Sequence, residues 1–196
     1  MKLSREFYQR SAIEVAKDVL GCNLVHESKE GITVGRIVEV EAYLGNEDPA
    51  AHSYNNRSSR TEIQYGEGGY AYIYLIYGMH YCMNIVTNSI DLPEVVLLRA
   101  LEPIEGIGLM KLRRKTDKLA NLCSGPGKLC AAMGINKTHY GMDLCGEQLY
   151  LKTPEANDSF ETVSSKRINI DYAGEAKEYL WRYTIKDNKY VSVKNK

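Results

Sequence analysis

The sequence predicts a mixed α+β fold in a single domain spanning residues 1–196. Three observations carry that expectation: helical and strand periodicities are interspersed, the first strand segments pair as hairpins, and no internal repeat or linker divides the chain. A chain of this length can bury about two thirds of its unfolded surface around one core.

The elements follow in order. Ser11 and Glu14 have the spacing of a capping box, Ile13, Ala16 and Leu20 share a helical face, and Gly21 supplies a stop, so an N-terminal helix should end near residue 20. From Cys22 the period drops to two: CNLVHE, the turn-like SKEG and the β-branched stretch 32–43 read as a hairpin. Residues 50–69 carry Asn55, Asn56, Ser58, Ser59, Gly66, Gly68 and Gly69 without sustained periodicity. They read as a long loop, and loops of that length in compact domains usually serve function. YAYIYLIY (70–77) and HYCMNIV (80–86) flank Gly78-Met79 and make a second hairpin, its glycine-led two-residue turn bordered by Tyr77 and His80. VVLLRALE (95–102) reads as a strand, 104–120 as a helix with a basic side, and SGPG (124–127) as the entry to a short helix at Lys128. The C-terminal part reads as strand, turn at Gly174, short helix, and strands around 181–185 and 190–193.

Composition narrows the function classes. Hydrophobic residues make up 44% and charged residues 26%, as in ordinary soluble globular proteins, and no apolar run is long enough to span a bilayer. The start, MKLSREFYQR, lacks the apolar segment of a signal peptide, so a cytoplasmic protein without membrane partners is expected. Cys22, Cys82, Cys123, Cys130 and Cys145 are scattered and odd in number, which suits reduced thiols; without a close CxxC pair, no metal site is expected. Twenty-five basic residues balance twenty-five acidic ones, so net charge gives no footprint for nucleic acid. The basic residues are unevenly spread: Arg57 and Arg60 share the polar loop, and Lys111, Arg113, Arg114, Lys115 and Lys118 cluster later, as a contact surface or a solvated helix face.

Several residues are candidates for chemistry. With Val38 and Val40 facing a core, strand alternation puts Glu39 and Glu41 together on the other face, about 6.5 Å apart. That arrangement fits a solvated strand face or a pair for general acid–base work, and the pair alone does not separate sugar polymers from nucleosides. Fifteen tyrosines against two phenylalanines and one tryptophan favour surfaces that both stack and hydrogen bond. Tyr70, Tyr72 and Tyr74 share one strand face, which for Tyr70 and Tyr72 fits cross-strand packing or a stacking surface, whereas Tyr77 beside an exposed turn fits a wedge for a base stack. His52 begins the long loop, and Arg99 in the apolar run LLRAL needs an anionic partner, for which Glu41 is a candidate. SGPG ahead of Lys128 is either a plain helix entry or a set of backbone N–H groups for a phosphate.

Taken together, RIVEVEAYLGNEDPAAHS (36–53), YIYLIYGMHYCMN (72–84), LLRALEP (97–103), LCSGPGKLC (122–130) and RINIDYAGEA (167–176) resemble the 3-methyladenine (alkyladenine) DNA glycosylases, in order along residues 10–185. The resemblance implies a compact α+β fold with a curved, mostly antiparallel sheet and a protruding second hairpin that enters the DNA minor groove. It also implies a monofunctional enzyme that uses neither metal nor organic cofactor, acting as a monomer on duplex DNA with damaged purines. By resemblance Glu41 is the general base, with Arg99 and the Ile168 carbonyl holding the water. Tyr43, His52 and Tyr74 form the base pocket, and Met79, His80, Cys82, Asn84 and Leu97 line its wall and the hairpin. Tyr77 fills the gap left in the duplex, and Arg57, Ser124 and Lys128 complete the expected DNA contacts. The chain departs from the family at Gln64, where methionine is common, at Asn55-Asn56 and Asn169, where glycine is usual, and near Ser59-Arg60, one residue short. No lysine stands among the catalytic and pocket residues that the resemblance assigns, so a Schiff-base lyase step is not expected. Two rivals stand beside this reading: a damage-binding protein without turnover, and a carbohydrate or nucleoside hydrolase built on Glu39 and Glu41.

Overall fold

The computed structural model describes residues 1–154 and 159–194. The chain opens with α1 (Arg5–Tyr8) and α2 (Ala12–Val19). Ser11 and Glu14 close the expected capping box, and Ala12, Val15, Ala16 and Val19 are wholly buried, which turns that face of α2 to the core. Leu20 is the C-cap, and Gly21 follows at φ +81°, a conformation open to glycine.

The strands come next: β1 (Asn23–Ser28), β2 (Gly31–Tyr43), β3 (Ala71–Ile76), β4 (His80–Thr87) and β5 (Glu94–Glu105). They are followed by α3 (Ile107–Arg114), α4 (Pro126–Met133), β6 (Leu149–Lys152), β7 (Thr162–Ser165) and β8 (Arg182–Ile185). The eight strands form one open antiparallel sheet in the order β3-β4-β5-β2-β1-β6, with β8 pairing both β2 and β7. The α+β class and the hairpin pairs β1–β2 and β3–β4 are as the sequence predicts.

Strand β2 is the spine. β5 lies along one side of it, while its other side is shared between β1, against 31–36, and β8, against 39–41. Residues 37–42 are all buried, so both faces of this stretch are covered, and Glu39 and Glu41 are wholly buried, which rules out the solvated strand face. Two register shifts bracket Glu39: Ile37 faces Leu101, Glu39 faces Ala100 and Val40 faces Leu98. Val38 and Arg99 are thus left without opposite numbers, and an extra residue of this kind bends a strand and re-aims its side chains.

Three expected elements differ. The predicted helix 104–120 is shorter, because β5 runs through Glu105, Gly106 turns at φ +71°, and Lys115 ends α3 in the left-handed region. The stretch 190–193 is not a strand; the Ser192 N–H and hydroxyl both bond the Glu39 carboxylate, committing that backbone elsewhere. The hairpin turn lies one residue earlier than predicted. Tyr77 and Gly78 have φ of +52° and +68°, and the Met79 N–H donates to the Ile76 carbonyl, a primed turn that matches the twist of the strands.

A buried pair of imidazoles ties β1 to the end of α4. His26 Nδ1 lies 2.7 Å from the Met133 carbonyl, its Nε2 lies 3.1 Å from His139 Nε2, and His139 Nδ1 accepts from the Asn136 N–H. Only one assignment avoids two lone pairs facing each other: both rings are neutral, His26 carries its proton on Nδ1 and His139 on Nε2. Burial holds both pKa values below the ordinary histidine value, with His26 next to Arg113 and Glu30 and with the two rings disfavouring each other's charge. Because the folded values are depressed, this contribution to stability is complete above about pH 6.5 and declines as the pH falls below it. Melting temperatures between pH 7.5 and 5 should therefore fall less steeply for His139→Asn, itself less stable at pH 7.5, than for the wild type; equal slopes would remove the role.

Candidate active site

A cavity of about 370 Å³ opens between the second hairpin, the loop 50–69, residues 168–172 and the start of α4. Alternation along three adjacent strands delivers its wall. Tyr74 faces Cys82 across β3 and β4, Tyr72 faces Asn84, and Asn84 faces Leu97 on β5, so these side chains lie in one band. Of the residues predicted for the pocket, Tyr43, His52, Tyr74, His80, Cys82, Asn84, Leu97, Arg99 and Ile168 line it together. Met79 does not; it is 71% exposed beside the turn. Ser124, Lys128 and Arg57 also lie off the lining, although Pro126 and Gly127, between the first two, are on it. Gly127 is required there: a Cβ would come within 2.9 Å of His80 Cβ, so glycine lets α4 approach the hairpin.

Glu41 sits behind this wall. Its Oε2 accepts from the Tyr43 hydroxyl at 2.8 Å and its Oε1 from the Ile168 N–H at 2.7 Å, with Arg99 Nη1 at 3.3 Å. Three neighbours that touch Glu41 therefore line the cavity, and its backing is the β2 spine. Burial, then Glu41, raises the Tyr43 pKa well above its ordinary value, so this hydroxyl stays protonated as a donor.

Glu39 does different work. It is not on the cavity lining and gathers Arg99 Nε at 2.9 Å, Arg182 Nε at 2.8 Å and the Ser192 hydroxyl at 2.9 Å. Burial raises its pKa, but Arg99 and Arg182 outweigh that and hold it below the usual glutamate value. Arg99 is raised although burial opposes its charge, because Glu41 and Glu39 flank it. One guanidinium thus holds two buried carboxylates apart, as the apolar run around Arg99 implied, with Glu39 as a second partner besides Glu41.

Other residues of the site stand out only in three dimensions. Arg167 and Asp48 form an ion pair with no solvent exposure, and Arg167 also donates to the carbonyls of Ala42 and Ala176. This clamp holds residues 168–172 over β2. Two charges inside matched motifs, DP in 48–49 and RI in 167–168, were the available signal. Asn169 and Asn55 take φ of +59° and +49°, left-handed values that asparagine tolerates, so the replaced glycines leave both turns intact. Tyr77 is 77% exposed at the apex of the hairpin, and φ +52° is unusual for so bulky a side chain.

Some of the surface charges are engaged. Arg57 pairs with Glu62 and Asp91, and the basic cluster is spent in part on Lys111–Asp117, Arg113–Glu30 and the bond from Arg114 to the Leu122 carbonyl. Among the described residues there is no cluster of metal-ligating side chains and no helix long and apolar enough to cross a membrane.

Comparison with known proteins meets this geometry. The family model described as methylpurine-DNA glycosylase matches residues 6–189. A relative from Alkaliphilus oremlandii is 51% identical over 99% of this chain and all of its own length, and one from Clostridium acetobutylicum is 53% identical over the full length of both. A third, from Natranaerobius thermophilus, is 47% identical over 98% of this chain. Each is named "Putative 3-methyladenine DNA glycosylase". Sequence similarity over the whole length to proteins so named places the chain among DNA glycosylases. The chain belongs to the methylpurine-DNA glycosylase family.

Glu39→Gln should cost about 3–5 kcal/mol in chemical denaturation, since it leaves two buried guanidinium groups short of a counter-charge. The stability that Glu39 supplies is complete above about pH 4.3 and is lost as the pH falls from there through its lower folded value, so the gap between variant and wild type should narrow in acid. A constant gap from pH 7 to 3 would show that the carboxylate's charge is not what matters.

Proposed function

We propose that this protein extrudes an alkylated or deaminated purine from duplex DNA and hydrolyses its N-glycosidic bond with a water activated by Glu41, leaving an abasic site. The observation that carries the reading is the placement of Glu41: wholly buried, behind an aromatic pocket, with its two oxygens fixed by Tyr43, Ile168 and Arg99. A general base must be held and aimed before it can take a proton from a water attacking the sugar carbon, and these three donors hold and aim Glu41.

The remaining roles follow from position. Tyr74 and His52, whose rings meet edge to face at 4.6 Å, offer a stacking wall for an extruded purine, with Tyr43 opposite. Alkylation at a ring nitrogen makes the base cationic and a good leaving group. The chain's main tasks are then to admit the base, exclude the rest of the duplex and deliver water. Asn84 donates to the Tyr72 carbonyl and is buried in the wall, where its bulk opposes the 2-amino group of an ordinary guanine. Extrusion costs a few kcal/mol, least for damaged or mispaired bases, and Tyr77 at the hairpin apex would occupy the vacated stack. Gly125 to Lys128, at the start of α4 beside the pocket mouth, suits a flanking phosphate, and the Ile168 carbonyl suits the water.

Placing Glu39 against Arg99, Arg182 and Ser192 argues against the paired-carboxylate hydrolase, which needs both carboxylates at the sugar.

Glu41→Gln should retain lesion binding and lose about 10²–10⁴ in single-turnover base release. Near wild-type release would remove Glu41 as the base, and full wild-type inactivity on every lesion would favour the damage-binding rival. Tyr77→Ser should weaken binding and lower the extruded fraction reported by ethenoadenine fluorescence, most for stably paired lesions. An unchanged extrusion equilibrium would reduce Tyr77 to a turn residue.

A further inference from the structure

One polar group in the pocket has no assigned work. Gln64 lies on the cavity lining, is 1% exposed, and neither its carboxamide oxygen nor its nitrogen makes a hydrogen bond. Burying an amide unpaired costs about 1–3 kcal/mol, so an unpaired one beside a ligand cavity needs a reason. Its carboxamide lies beside the Tyr72 hydroxyl without closing a bond to it, and the Arg60 guanidinium approaches the same hydroxyl. That hydroxyl is 3.0 Å from His52 Nδ1. His52 Nε2 has no hydrogen-bond partner among the described residues, and the ring lines the cavity.

We propose that Gln64 is a positioning residue that, through the Tyr72 hydroxyl, sets which nitrogen of His52 carries the proton and so whether the imidazole offers a bound purine a donor or an acceptor. The inference rests on the glycosylase reading above. Two arrangements are available. With the Gln64 nitrogen toward Tyr72, the hydroxyl accepts from the amide and donates to His52 Nδ1, and Nε2–H faces the cavity. With the Gln64 oxygen toward Tyr72, the hydroxyl donates to it and accepts from Nδ1–H, and Nε2 faces the cavity as an acceptor. A rotation of the carboxamide interconverts them.

The chemistry of the purines gives the switch a use. Adenine-type lesions carry a 6-amino donor, whereas hypoxanthine and alkylated guanine carry a 6-carbonyl acceptor. A pocket with a fixed donor or acceptor would refuse one class. An imidazole that exchanges tautomers serves both, provided it stays neutral, and His52 does: burial, then Arg60, pushes its pKa down to about 4. The free protein leaves the carboxamide without a partner, so neither orientation is locked before the base arrives.

The test is Gln64→Met, similar in size and unable to receive the Tyr72 proton. That proton then goes to Nδ1, and His52 is held as an Nε2–H donor. Single-turnover excision of hypoxanthine relative to 3-methyladenine should rise about tenfold, one hydrogen bond's worth. Nitrogen-15 spectra of His52 should change from averaged ring nitrogens to a protonated Nε2. The melting temperature should not fall. In a Tyr72→Phe background, Gln64→Met should change nothing further. An unchanged ratio, a changed ratio with unchanged ring nitrogens, or an added effect in the Tyr72→Phe background would each overturn the proposal. Where Gln64→Met does not fold, Tyr72→Phe must alter the wild-type ring-nitrogen pattern, and its persistence would overturn the proposal as well. The nitrogen readout needs no turnover, so it separates failure of this relay from failure of the glycosylase reading, which would appear as wild-type protein that releases no base.

Discussion

Two carboxylates buried two residues apart on one strand cannot both stay charged without a cation between them, and Arg99 is that cation. Much of the architecture serves this constraint. The register shifts that leave Val38 and Arg99 unopposed bring the guanidinium to both acids. β8 supplies Arg182 to Glu39, and the segment after it gives up strand pairing so that Ser192 can complete the same carboxylate's bonds. Because Glu39 holds Arg99 by Nε, Nη1 is left for Glu41. Glu39 thereby fixes the geometry of Glu41, and a loss at either end of the network is felt at the other.

The pocket is assembled from parts distant in sequence, and each is fastened independently. The long loop is pinned by Ser53 and Tyr65 against Pro93 and its own backbone, and it brings His52 and Gln64 to the wall. The Arg167–Asp48 clamp carries Ile168 to Glu41. The hairpin and α4 meet where Gly127 removes a side chain. Such fastening limits the reorganisation that any bound ligand would require, which is the condition under which positioned donors are worth most.

Much of the fold was legible in the sequence because its signals are local: the capping box at Ser11, the two hairpins and the β-branched runs each declare themselves within about ten residues. What was not legible depended on tertiary partners. Periodicity cannot tell that β2 is covered on both faces, so the burial of Glu39 and Glu41 could only be posed as an alternative. The strand expected at 190–193 has the right residues and is claimed by Glu39 instead. At the site, resemblance brought together nine of the pocket residues but could not reveal the Arg167–Asp48 clamp or the separate duty of Glu39. Whether a motif residue touches the cavity or a neighbour behind it is decided by tertiary packing, and Glu41, off the lining behind Tyr43, Arg99 and Ile168, shows the difference.

The neutral surface has a consequence for how such a protein meets DNA. Arg57, Lys111 and Arg113 already answer to acidic neighbours, and the chain as a whole carries no excess charge. Few condensed cations would be released from a duplex on contact, so residence on intact DNA should be brief and only weakly dependent on ionic strength. Long one-dimensional scanning is then a poor search strategy for this molecule. It is suited to many short visits rather than to long residence.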